Sequence, residues 1–117
     1  MTYLLVFIGG GLGSLVRYAI SMLTVNLGQT TPFATFVSNV LSCLILILGV
    51  NFISKLGMDE KLVRAGLLIG FCGGFSTFST FSYETVSLIK SGNHLVAAGN
   101  VLLSVGVCLI LIYKLTK

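Results

Sequence analysis

The chain has 117 residues, of which 56% are hydrophobic and 9% are charged, with a net charge of +4. A soluble domain carries roughly 25% charged residues, and one near 150 residues buries only about 70% of the surface that its unfolded chain exposes. A compact soluble fold of this size therefore has no means of hiding so much apolar surface. Soluble enzymes, disordered tails and nucleic-acid modules are excluded, and the composition predicts an all-α membrane protein in a lipid bilayer.

Four apolar segments are long enough to cross a bilayer, because about 20 helical residues span roughly 30 Å of hydrocarbon. In chain order they cover about residues 2–24, 32–54, 62–90 and 95–114. No Lys or Arg precedes the first apolar run, which argues against a cleavable signal peptide. Only short polar loops remain between the segments, so we expect one four-helix transmembrane domain over residues 1–117.

The positions of Lys and Arg predict an orientation. The side that holds both termini and the second loop carries Lys55, Lys61, Arg64, Lys114 and Lys117. The opposite side carries Lys90, and Arg17 if its side chain extends that way. The positive-inside rule then places both termini in the cytoplasm. A chain that inserts both ways should show almost no such bias, so five cations against two predict a preferred orientation.

Glycines at intervals of four residues mark two of the segments as packing surfaces. Gly9 and Gly13 have this spacing in the first segment, and Gly66, Gly70 and Gly74 have it in the third. Small residues at this spacing let the backbones of two membrane helices approach closely. Because four short helices bury little surface by themselves, we also expect the chain to associate with another copy or a relative.

The second segment carries polar residues on one helical face, at Thr35, Asn39 and Ser42. An Asn side chain offers two amide hydrogens, which suit an anion that must shed its water. The alternative is hydrogen bonding between helices, which is typically worth under about 1–2 kcal/mol. The spacing leaves both interpretations open.

The third segment contains the run GFCGGFSTFSTFSYE, residues 70–84, which is a poor sequence for a continuous helix facing lipid. Each Gly costs about 1 kcal/mol of helix preference. A break in the middle of a membrane is tolerated only where it is buried in protein or lines a cavity. Such a break exposes carbonyls that suit a cation and N–H groups that favour an anion. We therefore predict that the third helix is broken mid-membrane beside a cavity.

Two aromatic rings share a face of this segment, at Phe78 and Phe81. The positive edge of a phenyl ring can contact a partly dehydrated anion without binding it too tightly to leave. A single Phe in a membrane helix is ordinary packing. Two on one face, interleaved with the hydroxyl residues of 76–82, indicate a pore wall.

The remaining polar groups allow more than one interpretation. Asn100, Ser104 and Cys108 recur every four residues of the fourth segment, as a packing seam or a pore wall. An ionised residue at the centre of a membrane helix costs about 2.5–3.5 kcal/mol, so Arg17 and Glu84 should be partnered or near water. Arg17 is either an interfacial anchor or a group that concentrates anions at an entrance. A carboxylate such as Glu84 repels anions unless it is paired or protonated.

Other reactive residue types show no arrangement for catalysis. The three cysteines lie in apolar runs without a CxxC spacing or a nearby His, as expected for small hydrophobic residues. The lone His94 lies in a loop and has no acid, base or nucleophile in a recognisable pattern around it. We therefore expect that the protein is not an enzyme.

Three motifs together resemble the Fluc-type (CrcB) fluoride channels. They are GGGLGSLVRY at residues 9–18, TFVSN at 35–39 and the run at 70–84, and the resemblance spans essentially the whole chain. It implies a channel that exports fluoride passively across the cytoplasmic membrane of a bacterium and relieves fluoride toxicity. It also implies an antiparallel dimer with two pores and a structural Na⁺ ion at its centre. Ala34, Ser42 and Ser76 depart from the usual residues of the family, which are Gly, Gly and Thr.

The resemblance assigns roles to particular residues of this chain. The anion path would be lined by Asn39, Phe78, Phe81, Ser79, Thr80 and Ser104. Arg17 and Glu84 would border an aqueous vestibule. The Na⁺ ion would be held by the backbone carbonyls of Gly73 and Ser76. The partners implied are fluoride, the bilayer and an inverted second subunit, which is either an identical chain or a relative.

Two other functions are compatible with a chain of this length. One is a non-conducting partner subunit of a heterodimeric fluoride channel, which the charge bias favours. The other is a small multidrug exporter, which couples transport to a carboxylate in its first helix. The first segment here contains no Asp or Glu, which argues against an exporter.

Overall fold

The computed structural model describes residues 1–55 and 57–116. Helix α1 covers Thr2–Asn26, α2 covers Thr31–Phe52, and the third span, Glu60–Lys90, is divided into α3 (residues 60–75) and α4 (Phe78–Lys90). Helix α5 covers His94–Leu115. The described residues therefore contain four spans that are long and apolar enough to cross a membrane. This finding confirms the predicted all-α fold with four membrane-spanning segments.

Local sequence signals set the ends of the helices. The Thr30 hydroxyl accepts a hydrogen bond from the Phe33 N–H at 3.4 Å, and Pro32 lies in the first turn of α2, where its missing N–H costs nothing. Gly28 and Gly92 have φ angles of +85° and +88°. Only Gly adopts this left-handed conformation without strain, so both residues permit the tight turns that reverse the chain.

Helices α1 and α3 pack backbone against backbone along their glycines. A Cβ atom on Gly9 would overlap the carbonyl oxygen of Gly66, and one on Gly13 would lie 2.8 Å from the Phe75 nitrogen. By contrast, a Cβ atom on Gly11 would meet nothing within 4 Å. The close approach predicted from the glycine spacing is therefore present.

Helix α3 changes its winding before it ends. An α-helical turn at Glu60–Val63 leads into π-helical turns over Arg64–Cys72, and Gly73–Phe75 returns to the α conformation. Ser76 has ψ 159° and Thr77 has φ −150°, so the chain is extended at these two residues. The interruption in the third span thus follows the glycine pair, at the first two hydroxyl residues.

Most of the large apolar side chains point outward. Phe7 is 79% exposed and Leu95 is 87% exposed. The largest side chains that are fully buried are those of Phe75 and Ser38. Exposure of so much apolar surface to water would be unfavourable, whereas contact with the hydrocarbon of a bilayer carries no such cost. The interruption at residues 76–77 is half-buried and is bonded to α2 through Asn39, and α1 is bonded to the Gly74 carbonyl just before it.

Candidate functional site

A single amide side chain pairs with the interruption of the third span. The Thr77 N–H donates to Asn39 Oδ1 at 2.8 Å, and Asn39 Nδ2 donates to the Thr77 carbonyl at 3.3 Å. The break leaves the Thr77 N–H without a helical partner, and the Asn39 side chain from α2 supplies one and also donates to the Thr77 carbonyl. The interhelical role predicted for Asn39 is therefore present. Its amide nitrogen also carries a second hydrogen for an anion.

Serine hydroxyls join α2 to the last turn of α3. The Cys72 carbonyl accepts hydrogen bonds from the Ser42 and Ser76 hydroxyls, each at 2.9 Å, and from the Ser76 N–H at 3.0 Å. Ser42 is buried. Ser42 stands where the family usually has Gly, and its additional hydroxyl therefore donates a hydrogen bond to the neighbouring helix.

The cation of α1 reaches the same region. Arg17 Nε donates to the Gly74 carbonyl at 3.2 Å, and the Ser14 hydroxyl donates to the same carbonyl at 3.4 Å. Arg17 is half-buried, so its guanidinium lies beside the break rather than extended along the lipid. The structure therefore places this cation at the break.

The two predicted vestibule residues border one polar cavity of about 210 Å³. Its polar lining consists of Arg17, Tyr18, Ser21, Thr31, Thr35, Ser38, Thr77, Thr80 and Glu84. Glu84 is buried, and within the described residues its Oε1 atom has no hydrogen-bond partner. The cavity thus combines one cation, one carboxylate and a ring of hydroxyl groups.

A second cavity, of about 270 Å³, lies on the other side of the break. Among the predicted pore residues, its lining includes Asn39, Phe78, Phe81 and Ser104. The centroids of the Phe78 and Phe81 rings are 5.9 Å apart and their planes are inclined by 43°. Phe81 is buried, whereas Phe78 is 79% exposed on the single chain. We refer to this space as the phenylalanine cavity.

The other two predicted pore residues lie elsewhere. Thr80 lines the polar cavity, and its N–H donates to the Thr77 hydroxyl at 3.2 Å. Ser79 is exposed, with its hydroxyl 3.3 Å from that of Thr77. Thr77 itself lines both cavities. Sequence reasoning did not select Thr77 as a site residue, although a hydroxyl residue just before a restarting helix is a typical N-cap signal.

The polar stripe of α5 is connected to α4 by hydrogen bonds. Ser104 donates to Asn100 Oδ1 at 3.4 Å, Asn100 donates to the Thr85 hydroxyl at 3.0 Å, and Thr85 donates to the Phe81 carbonyl at 2.8 Å. The stripe is therefore a packing seam that also places Ser104 at the phenylalanine cavity. Thr85 completes the seam and was not selected from the sequence.

The predicted cation ligands lie beside these contacts. The hydrogen bonds at the break go to the Cys72, Gly74 and Thr77 carbonyls, and none of them uses the carbonyls of Gly73 or Ser76. A Cβ atom on Gly73 would meet nothing within 4 Å, so this face is open. Carbonyl oxygens of unwound backbone suit Na⁺. The described residues contain no group of three or more His, Cys, Asp or Glu side chains that could hold a metal ion.

Comparison with known proteins places this arrangement in a family. A relative from Coxiella burnetii (strain CbuK_Q154) is 42% identical over 111 residues, which are 93% of this chain and 90% of the relative. One from Geotalea daltonii is 43% identical over 108 residues (90% and 87%), and one from Clostridium perfringens (strain 13 / Type A) is 36% identical over 114 residues (93% and 86%). All three are named "Fluoride-specific ion channel FluC". The family described as "CrcB-like protein, Camphor Resistance (CrcB)" matches residues 4–114, and the chain belongs to this family.

Proposed function

We propose that this chain forms a channel through which fluoride leaves a bacterial cell passively across the cytoplasmic membrane. The observation that carries the proposal is the phenylalanine cavity, in which Asn39, Phe78, Phe81 and Ser104 meet beside the broken span. These residues come from three different helices, so their meeting is a property of the fold. The names of the relatives supply the identity of the anion.

The two cavities suggest how a small anion replaces its water. In the polar cavity the positive charge of Arg17 opposes the repulsion of an anion by Glu84, and the hydroxyls offer donors to an anion that still carries water. Thr77 belongs to both cavities and links them. Beyond it, the anion meets the N-terminal end of α4, a helix of 13 residues, and the edges of Phe78 and Phe81. Each of these groups attracts an anion weakly, which permits both entry and release.

The proposal includes a second subunit in the inverted orientation, with two pores and a mid-membrane position for the break. In its favour, Phe78 is 79% exposed on the single chain, and a pore-lining ring needs a second wall. The carbonyls of Gly73 and Ser76, from both subunits, would hold a structural Na⁺ ion. When bound, this ion would neutralise the carbonyl dipoles that meet where the two breaks approach.

Fluoride efflux from liposomes tests the proposed function. We expect the purified full-length chain to release fluoride and to exclude chloride, measured with ion-selective electrodes. N39A and F78I should reduce the flux about tenfold or more, which corresponds to a barrier higher by about 1.4 kcal/mol. F7I is the matched control, because Phe7 is equally exposed but lies on α1, away from both cavities. Normal conduction by N39A and F78I would refute the assignment of these side chains to the pore.

The charge bias favours a second arrangement, in which this chain pairs with an oppositely oriented relative. In that case the chain alone would be silent in liposomes and would conduct only with the relative. Labelling of a cysteine placed at the C-terminus, from either side of the cell membrane, decides the orientation. One-sided labelling supports the heterodimer, and equal labelling from both sides overturns it.

A further inference from the structure

Two thiols that the proposed anion path does not use lie in the wall of the phenylalanine cavity. Cys43 of α2 and Cys108 of α5 both line it, and both are half-buried. Both thiols therefore border the same space of about 270 Å³. Each lies one helical turn beyond a predicted pore residue, Asn39 or Ser104, and so on the same helical face. Two helices therefore bring their thiols to one space beside the path.

The third cysteine has different surroundings. Cys72 is buried, its carbonyl accepts the Ser42 hydrogen bond, and it does not line the phenylalanine cavity. It offers a thiol of the same chemistry outside this cavity. Cys72 is therefore an internal control for any reagent that binds thiols.

We propose that Cys43 and Cys108 form a two-thiolate site for a soft divalent metal ion, and that its occupation blocks the anion path. The blocking step rests on the proposed function, whereas the binding step does not. Soft metal ions prefer thiolate sulfur to oxygen ligands. Hg²⁺ is the probe that fits best, because it binds two thiolates in a linear arrangement.

The charges of the binding step balance inside a membrane. Each thiol loses its proton to water, and each sulfur donates an electron pair to Hg²⁺, so that two S–Hg bonds replace two S–H bonds. Two thiolates and one divalent ion sum to zero charge, which avoids the cost of a net charge between the helices. Zn²⁺ normally requires four ligands, and the described lining of the cavity contributes only these two thiols and no carboxylate or imidazole. The site should therefore discriminate against zinc.

Binding is tested first on the purified full-length chain in detergent, without any measurement of flux. In a C72S background we expect one tightly bound Hg²⁺ per chain, with both remaining cysteines protected from alkylation by a maleimide. After a wash with a monothiol competitor, which removes Hg²⁺ bound to one thiolate, C43S and C108S in the same background should each lose this protection at the remaining thiol. Zinc at equal concentration should protect neither. Protection that survives in either single variant would overturn the two-thiolate site.

The block is tested by fluoride efflux, with each variant compared with its own rate before HgCl₂ is added. We expect micromolar HgCl₂ to slow the efflux of the unmodified chain and of C72S about tenfold or more, and dithiothreitol to restore it. After a wash with a monothiol competitor, C43S and C108S should regain most of their own rate, whereas the unmodified chain and C72S should stay slow until dithiothreitol is added. A block that persists in C43S and C108S, or that disappears in C72S, overturns the inference. A chain that binds Hg²⁺ but conducts fluoride neither alone nor with an oppositely oriented relative refutes the proposed function and leaves the metal site standing.

Discussion

Asn39 and Thr77 exchange two hydrogen bonds across 38 residues of sequence, at 2.8 and 3.3 Å. A primary amide presents a donor and an acceptor side by side, as a peptide group does. Asn39 therefore gives the Thr77 N–H an acceptor in place of the helical one and also donates to the Thr77 carbonyl. The residue that the sequence suggests as an anion ligand thus also stabilises the backbone at the break.

This pairing predicts that N39A harms stability as well as conduction. Alanine would leave the Thr77 N–H and carbonyl without these partners, and an unsatisfied buried polar group costs about 1–3 kcal/mol. We expect a lower melting temperature in detergent and a loss of fluoride flux. N26A is the control, because Asn26 is exposed at the end of α1. An N39A melting temperature equal to that of N26A would contradict the structural role.

The glycine contact between α1 and α3 predicts a sharp difference in stability between two alanine substitutions that are two residues apart. In G13A the new methyl group would press on the backbone of α3, where the Phe75 nitrogen is 2.8 Å from the Cβ position. Overpacking of this kind costs about 1–3 kcal/mol. G11A adds the same methyl group to open space. We expect G13A to unfold at a lower temperature than the unmodified chain and G11A to unfold at the same temperature as that chain. Equal stability of the two variants would refute the close packing.

Substitutions of the two phenylalanines, Phe78 and Phe81, should differ in their effects on the free energy of unfolding. Phe81 is buried, and F81A should lower the free energy of unfolding by about 3 kcal/mol or more. Phe78 is exposed on the single chain, so F78A should unfold like F7A while its fluoride flux is lost. Chemical unfolding in detergent and efflux from liposomes measure the two effects separately. A flux for F78A equal to that of F7A would remove Phe78 from the path.

The position of Arg17 predicts a dependence on salt. If its charge attracts anions to the polar cavity, R17Q should slow fluoride efflux most at low ionic strength. Screening weakens charge effects over about 8 Å at physiological salt, so the difference from the unmodified chain should shrink when an impermeant salt is added. K90Q is the control, because Lys90 is an exposed cation at the end of α4. An R17Q defect that is the same at all ionic strengths would point to the lost Gly74 hydrogen bond instead.

The sequence by itself determined the four apolar spans and the turns between them. Length and hydropathy decide whether a segment crosses hydrocarbon, and Pro32, Gly28 and Gly92 act on the backbone of their own neighbourhood. The spacing of Gly9 and Gly13 also predicted a close helix contact, because residues four apart lie on one face of a helix.

The tertiary structure decided which polar groups meet. The sequence groups Thr80 with the pore phenylalanines, yet its side chain lies with Arg17 and Glu84 in the polar cavity. Likewise the apolar runs around Cys43 and Cys108 do not predict that the two residues line one cavity. Such pairings depend on how each helix is rotated about its axis and shifted along it relative to its neighbours. Long-range packing sets these positions, and local sequence patterns do not specify them.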